Sequence, residues 1–597
     1  MKFRWSPAPS QPLLAGRLAS RLGISPLLAQ CLLNRGFSEP ADIEGVLLPR
    51  LANLRDPFLL PDMDKAVERL LQARSEGERV VIFGDYDVDG VTATALLVEL
   101  LRGLGWRVEW HLPERIGDGY GLSAGGVANC LKKLPGWGGG NGAARMKTLL
   151  LAVDCGSTAT DVVASLQDRG IEVIILDHHQ ISKPPPAAVA LVNPQLSRPG
   201  SNGNPAGGAE FTEFCSAGLA FKLAHAILKR GRATALPGAA EFDLKPMLDL
   251  VALGTIADLV PLTGENRILV SAGLGQLNRT ARPGIVALKK IAGAPEAVGV
   301  YEVAFQLAPR LNAAGRLETA EDALRLLLAE RLDAAMPLAQ ALDARNRERQ
   351  SVEKAITDEV MVALRAKFDS QRHFVIVEGQ APWHIGVVGI VASRVVQEFY
   401  RPAIIIGGGA EEMRGSGRSI AGFDLAGALR ECGHLLLRHG GHAMAAGLSI
   451  LPHNIDPLRE KLNELARRRL VADDLQPTLR LDARLGLDEI HFQMLGELER
   501  LKPHGQGNPA PQFWSGPLSH ARPLQRIGAE KQHVKMRVND GAASHEALWW
   551  KRGDGSLPVG KFDLAFTPQI NRFNGSAIVQ LKVLDWRPSA PGLTCRY

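Results

Sequence analysis

Residues 80–97 read VVIFGDYDVDGVTATALL, and the reading of this stretch decides the fold. Val80 to Phe83 is an apolar run of the length of a strand buried on both faces. Three carboxylates follow at alternate positions, Asp85, Asp87 and Asp89, and then Gly90. Thr92 to Leu101 reads as a helix. In a parallel sheet the loop between such a strand and helix lies at the carboxyl edge, where ligands bind. Three acids in one turn repel one another unless a cation sits among them, and a hard divalent cation prefers carboxylate oxygen. The alternative is a solvated acidic turn.

The same pattern continues outward from this stretch. Met63 to Glu76 is an amphipathic helix leading into the first strand. Short apolar strands are predicted at Arg107–Leu112, Thr148–Val153, Glu172–Leu176 and Val189–Val192. The second ends in Asp154, the third in Asp177-His178-His179, and the fourth in Asn193-Pro194. Helices follow at Ala217–Lys229 and Lys245–Ile256, the latter leading to Asp258. This alternation predicts an α/β fold with a doubly wound parallel sheet over residues 46–340. Residues 1–45 read as a helical cap on that domain. The inserts at 136–145 and 197–210 are rich in Gly, Asn, Pro and Ser and read as surface loops.

Residues 341–368 read as one long connecting helix, with Val352, Ile356, Val360 and Leu364 at helical spacing. Strands at Phe374–Glu378 and Ala403–Gly407, with Gly-rich turns between them, predict a second α/β domain over 369–470. Short strands at Val534–Val538, Ala547–Trp550, Phe562–Thr567 and Ala577–Leu584 predict a small β-barrel of the OB type over 471–597.

Composition narrows the function classes. The 597 residues exceed what one core can bury, and 46% hydrophobic with 22% charged residues is globular composition. Apolar runs fall short of a membrane span. The N-terminus has no apolar signal region, and the six cysteines form no CxxC pair; together these predict a cytoplasmic protein without zinc ribbon or disulfide framework. The net charge of +6 permits a polyanionic partner without requiring one.

The strand-end clusters carry the chemistry. In a doubly wound sheet Asp85, Asp87, Asp89, Asp154, Asp177, His178, His179 and Asp258 converge on one edge. Each alone has a bland reading, a helix cap for Asp154 or a surface pair for the histidines. Together they suit two divalent cations about 3.5–4 Å apart, a centre that hydrolyses phosphoesters. The segment Arg500–Val538 holds seven Lys/Arg, among them Arg522, Arg526, Lys531 and Lys535, against one acid, with Phe513 and Trp514 inside it. Basic residues with aromatic faces are what sequence-blind single-strand binding needs; the bland reading is a solvated face.

GDYDVDG, AVDCG, LDHH and TIADLVPL, in this order, resemble the DHH phosphoesterase superfamily. HLPERIGDGYGLS (111–123), APRLNAAGR (308–316), WHIGVVGIVASR (383–394), RGSGRSIAGFDL (414–425), GGHAMAAGLS (440–449) and GNPAPQF (507–513) are similar to its branch of bacterial 5′→3′ single-strand DNA exonucleases. The likeness runs from about residue 45 to the end, and departs where this chain has Pro503-His504-Gly505 in place of Pro-Phe-Gly. The resemblance implies Mn²⁺ or Mg²⁺ ligation by Asp87, Asp89, Asp154, His178 and Asp258, with Asp85 as helper and Asp154 bridging. It implies that His179 touches the scissile phosphate and that Asp177 orients the histidines. It makes 369–470 a DHHA1 substrate-binding domain, with Ser416 and Arg418 anchoring a 5′ phosphate and Arg115 and Arg310 lining the strand path; Arg414 supplies further charge, and His442 either contacts the phosphate or is a satisfied core histidine. Trp383-His384 either stacks on a base or packs internally. The implied protein is a monomer acting in recombination and repair, mismatch repair included, with the single-strand binding protein and a RecQ-type helicase. Two rivals remain at this stage, a DHH phosphodiesterase for short or cyclic oligonucleotides and a non-catalytic Cdc45-like scaffold.

Overall fold

The computed structural model describes residues 3–114, 117–118, 121–134, 146–196, 211–317, 319–551, 557–573 and 576–589. The inserts at 136–145 and 197–210, and Arg115, lie outside the described residues. The chain forms two compact units, one of residues 48–351 with 503–509, the other of 1–47, 352–502 and 510–597.

The chain begins with strand β1 (Arg4–Pro7) and helices α1 (Pro12–Leu22), α2 (Pro26–Leu33) and α3 (Pro40–Leu47). Each helix opens on a proline, whose fixed φ suits a first turn. Helix α4 (Met63–Ser75) then leads into the first unit's sheet.

That sheet is built from β2 (Arg79–Phe83), β3 (Arg107–His111), β4 (Thr148–Val153), β5 (Glu172–Leu176) and β6 (Ala190–Val192). All pairings are parallel, in the order β3-β2-β4-β5-β6. Strand β4 is buried along its whole length, as expected of a strand covered on both faces. Helices α5 (Val88–Gly103), α6 (Ala124–Lys133) and α7 (Thr160–Gln167) lie between the strands in sequence. After β2 the chain steps outward to β3 and then returns past β2 to β4. The direction therefore reverses between β2 and β4, and their carboxyl ends flank the switch point.

Helices α8 (Ser216–Ala233), α9 (Leu248–Ala257), α10 (Gly264–Arg279) and α11 (Pro283–Ala292) follow. The single turn α12 (Val300–Glu302) runs through a π-helical turn, Val303–Leu307, into α13 (Ala308–Leu317) and then α14 (Glu321–Leu327). Helix α9 is apolar all round because α5, α8 and α10 enclose it. The long helix α15 (Leu332–Lys367) starts at Leu332 rather than 341 and runs through Pro337.

The second unit holds a mixed sheet of β7 (Ile376–Gly379), β8 (Ala403–Gly408), β9 (Met413–Arg418), β10 (Leu436–His442) and β11 (Ala445–Ile450), in the order β10-β11-β9-β8-β7. Helices α16 (Val388–Phe399), α17 (Leu425–Glu431) and α18 (Ile455–Arg469) accompany it. The glycine-rich stretches, for which no strand was expected, carry β9 over 414–418 and the ends of β10 and β11 on either side of a turn at 443–444. After β12 (Thr478–Leu481), β13 (Ala483–Arg484) and α19 (Phe492–Leu498) comes the barrel. Its strands are β14 (Phe513–Ile527), β15 (His533–Asn539), β16 (Ser544–Trp549), β17 (Phe562–Phe573) and β18 (Ser576–Pro588). Pairing runs β14-β15-β16-β18-β17 and closes through β14 with β17, a five-stranded barrel of the OB type.

One expectation is corrected here. Residues 1–45, expected as a cap on the parallel-sheet domain, belong to the other compact unit. Strand β1 pairs with β12, and Leu28, Leu32 and Ile43 share one core with Phe513, Leu564, Leu581 and Val583 of the barrel. A leucine-rich helical segment announces an apolar face but not which partner will cover it.

Candidate active site and nucleic-acid interface

The switch point gathers the acidic clusters. Asp85 follows β2 and is 2% exposed. Asp87 caps α5, its Oδ1 accepting the amides of Asp89 (2.9 Å) and Gly90 (3.1 Å). Asp89, in the first turn of α5, accepts the amides of Ser216 (2.6 Å) and Ala217 (2.8 Å) at the amino end of α8, where the helix dipole favours a negative charge. Asp154 follows β4 at φ 63° and accepts a hydrogen bond from Ser216 Oγ at 2.8 Å. Asp258 ends α9.

His178 joins these carboxylates. Its Nε2 is 3.5 Å from Asp154 Oδ1, 3.6 Å from Asp258 Oδ2 and 3.9 Å from Asp89 Oδ2. These spacings are too long for hydrogen bonds. They are close to the separation of about 3 Å expected between donors that share one cation at about 2.1 Å. His178 Nε2 is buried and has no hydrogen-bond partner among the described residues. A buried imidazole nitrogen without a partner, set among carboxylates, fits a metal. The donor atoms fall into three overlapping sets, each within 4.8 Å: Asp85, Asp87 and Asp154; Asp89, His178 and Asp258; Asp154, His178 and His179. Asp154 and His178 each belong to two sets.

Asp177 stands behind the histidines. Its Oδ1 accepts the His178 amide (2.8 Å) and bonds His179 Nδ1 (2.8 Å), and its Oδ2 accepts the Ser157 amide (3.0 Å). Burial works to raise its pKa, but these bonds outweigh burial and hold the carboxyl well below the usual range. Burial disfavours charge on His179 too, yet the bond to Asp177 lifts its pKa to about 9, so the ring is cationic at neutral pH. Burial drives the His178 pKa down and keeps it a neutral donor. Burial, reinforced by the neighbouring carboxylates, raises the pKa of Asp154 and of Asp258 well above the usual value; Asp89 is raised by burial first and Asp87 second. A cation bound here must displace protons. Apparent Mn²⁺ affinity is therefore expected to keep rising with pH above the usual carboxylate range, by up to about tenfold per unit for each proton released. Calorimetry in buffers of different ionisation enthalpy measures those protons, and an affinity flat in pH contradicts the shifts.

Several contributors escaped the sequence reading. Asn312 Oδ1, on α13, accepts the Val88 amide at 3.1 Å, and Gly315 packs so closely that a Cβ would stand 2.5 Å from Tyr86 O. Helix α13 thus holds the acidic loop. Asn193 Nδ2 ties Ser157 Oγ to the His179 carbonyl, 2.9 Å to each. The resemblance marks the 308–316 stretch and the strand pattern marks Asn193, but neither gives these residues a role. Arg310, expected along a strand path, is bound to Asp343 (2.9 Å) and to the Gln306 carbonyl.

In the second unit Arg414, Ser416 and Arg418 alternate with core-facing glycines on β9 and so share one face of its sheet. His442 on β10 stands opposite Ala445, which stands opposite Arg418, so His442 lies in the same row. Arg418 Nη1 donates to Ser416 Oγ (3.1 Å) and to the Gly417 carbonyl (2.8 Å). Gly389, in the first turn of α16, lies against this pair; a Cβ there would stand 2.9 Å from Ser416 Oγ and 3.2 Å from Arg418 Nη2. A guanidinium, a hydroxyl and a helix amino end at one place suit a phosphate. Trp383 is a packing residue, 8% exposed, with Nε1 on Glu359 Oε2 at 3.0 Å.

On the barrel, two of the expected grip residues are corrected. Phe513 is fully buried in the barrel core and offers no face to a base. Trp514 is caged, with the guanidinium of Arg484 5.1 Å and that of Arg587 5.6 Å from its ring centroid, and Trp5 at 6.4 Å. Arg522, Arg526 and Lys531 are exposed, and Lys535 pairs with Glu546 at 2.7 Å. Arg522 of β14 stands directly opposite Arg537 of β15. Like charges in that position repel unless an anion lies between them.

Family models match along the chain: the N-terminal domain of the DHH family over residues 79–255, the DHHA1 domain over 372–468 and the RecJ OB domain over 481–585. The single-stranded-DNA-specific exonuclease RecJ of Bacillus subtilis is 36% identical over 593 residues, covering 98% of this chain and 71% of that protein. The chain belongs to the RecJ family. The RecJ of Dickeya dadantii is also 36% identical, over 93% of this chain and 95% of its own. The crystal structure of RecJ in complex with Mn²⁺ from Thermus thermophilus superposes with a TM-score of 0.81 at 32% identity, covering 99% of this chain and 80% of that one. The DHH, DHHA1 and OB assignments read from the sequence agree with these RecJ comparisons.

Proposed function

We propose that this RecJ-family protein is a metal-dependent exonuclease that degrades single-stranded DNA from the 5′ end in recombination and repair. The observation that carries this reading is the overlap of the donor sets at Asp154 and His178, which gives two cation positions a common wall. Mn²⁺ or Mg²⁺ held by Asp85, Asp87, Asp89, Asp154, His178 and Asp258 would supply a hydroxide nucleophile and polarise the scissile phosphoryl oxygen. Asp177 fixes the His179 ring and keeps it charged, which suits His179 to a phosphoryl oxygen. Asp89 holds α5 to the amino end of α8 and so fixes the acidic loop against Asp154. The complete ligand set favours an enzyme over a Cdc45-like scaffold, and the barrel favours a long strand over a dinucleotide.

Polarity is assigned to the row of Arg418, Ser416 and His442, which would take the terminal 5′ phosphate. Arg418→Ala is expected to lower turnover on 5′-phosphorylated ends about tenfold to a hundredfold, the loss of one charge-assisted pair, and much less on 5′-hydroxyl ends. Equal losses on the two ends would remove Arg418 from the anchor. End-labelled strands, with and without EDTA, test direction and metal dependence together.

The barrel is the second grip. Replacing Arg522, Arg526 and Arg537 by alanine is expected to reduce the salt slope of strand binding by about three and to weaken binding alike for all sequences. A salt slope unchanged in that triple variant would exclude the β14–β15 face. Among the described residues no helix is long and apolar enough to cross a membrane. A monomer in the cytoplasm, served by the single-strand binding protein and a RecQ-type helicase, completes the reading, and co-purification tests it.

A further inference from the structure

Leu259 follows Asp258 at the C-terminal end of α9 and adopts φ 61°. This is the left-handed position after a helix, which glycine normally takes because a Cβ crowds the backbone there. Its side chain is 69% exposed, so burial does not offset the strain. Among the described residues with positive φ, the others outside glycine are Asp62, Asp154, Ala235, Tyr400, Lys531 and Lys551, and none is an exposed aliphatic side chain of this size. Strained residues persist where their surroundings over-determine them, and they cluster at functional sites.

The surroundings here do over-determine the loop. Leu262, 2% exposed, donates its amide to the Gln506 carbonyl at 2.8 Å. The segment 503–509 belongs to the same compact unit as this loop. Gly505 and Gly507 pack so tightly that a Cβ would stand 2.7 Å from Leu262 Cδ1 and 2.9 Å from Pro261 Cβ. From the other side the buried Asn266 side chain donates to the Pro261 carbonyl at 3.0 Å. Residues 261–263 are fixed from two directions, while Leu259 is left in water beside a candidate metal ligand.

We propose that Leu259 is a substrate-contact residue whose side chain packs on the sugar or base of the nucleotide at the scissile phosphate. The inference rests on the nuclease reading and adds the residue that holds the reacting nucleotide. An apolar contact of this kind carries no hydrogen-bond code, so it accepts any base.

The test compares Leu259→Gly, Leu259→Asn and Leu259→Met in the full chain. Glycine and asparagine both tolerate the left-handed conformation, so their thermal midpoints are expected to equal or exceed that of the unaltered protein. Their Mn²⁺ affinity, measured by calorimetry without DNA, should be unchanged, while kcat/KM on a 5′-phosphorylated single strand falls about tenfold or more. Methionine, which restores apolar reach, should recover most of that loss. Unchanged kcat/KM in the glycine and asparagine variants overturns the proposal. So does a drop in Mn²⁺ affinity that matches the lost turnover, since Leu259 would then act only by shaping Asp258. Failure of the unaltered protein to cut the strand would overturn the nuclease reading instead.

Discussion

Asp154→Asn is expected to lower strand cleavage on the order of a thousandfold, the loss of several kcal/mol of charge stabilisation at the reacting phosphate, while single-strand binding persists. The substitution is conformationally mild. Asn accepts the φ of 63° as readily as Asp, and its carbonyl still takes the Ser216 hydroxyl. Volume is unchanged, so no cavity opens. What disappears is the negative charge common to two of the donor sets. The same charge is unfavourable in the metal-free protein, where Asp154 is buried and faces Asp85, Asp87, Asp89 and Asp258. Without metal, the Asp154→Asn variant should therefore melt no lower than the unaltered protein. Its stabilisation by added Mn²⁺, about 2.7 kcal/mol per site at a hundred times the dissociation constant, should largely vanish. Calorimetry with and without Mn²⁺ separates this outcome from simple unfolding. Undiminished cleavage would refute the shared role of Asp154.

Gly254→Ala should damage both the fold and the centre. Gly254 lies on α9 where that helix crosses α5 and α8. A Cβ there would stand 2.5 Å from Ala217 Cβ, 2.5 Å from Thr92 Oγ1 and 2.9 Å from Asp89 Oδ1. Two of these neighbours sit on helix backbones that cannot step aside, and the third is a ligand candidate fixed by the amides of Ser216 and Ala217. Overpacking of this kind costs about 1–3 kcal/mol, or a midpoint lower by roughly 2–12 °C. Turnover at 25 °C, where the variant is still folded, should drop at least about tenfold because Asp89 is displaced. Gly275→Ala is the control. It adds the same methyl group to an exposed turn of α10 whose nearest neighbour is Arg279 Nη2 at 3.9 Å. There the helix should gain about 0.5–1 kcal/mol. If the two substitutions shift the midpoint alike, the packing at Gly254 is not what the geometry indicates.

The site was legible because its residues sit at the ends of short apolar runs. A strand buried on both faces has no polar positions, so the first polar residue after it marks the carboxyl edge, as at Asp85, Asp154 and Asp177. The supports of the site were not legible. Asn312 and Asn193 act across the fold, and their hydrogen bonds exist only after tertiary packing. The strands β9 and β11 were missed because glycine carries no apolar side chain to display the two-residue period. The glycines of β9 face inward where Leu425, Ile404 and Ile406 leave no room for a Cβ. Phe513 and Trp514 misled for a related reason. An aromatic pair in a basic segment looks like a stacking platform, but in a strand one of two neighbours must face the core. Here that neighbour is Phe513, while Trp5 and two arginines occupy the other side.

The shared core of the first helices and the barrel has a consequence for biosynthesis. A ribosome releases Leu28, Leu32 and Ile43 more than 500 residues before their partners Leu581 and Val583. At bacterial elongation rates the nascent helices wait about half a minute to two minutes with an apolar face uncovered. Over that interval they are natural clients for a chaperone.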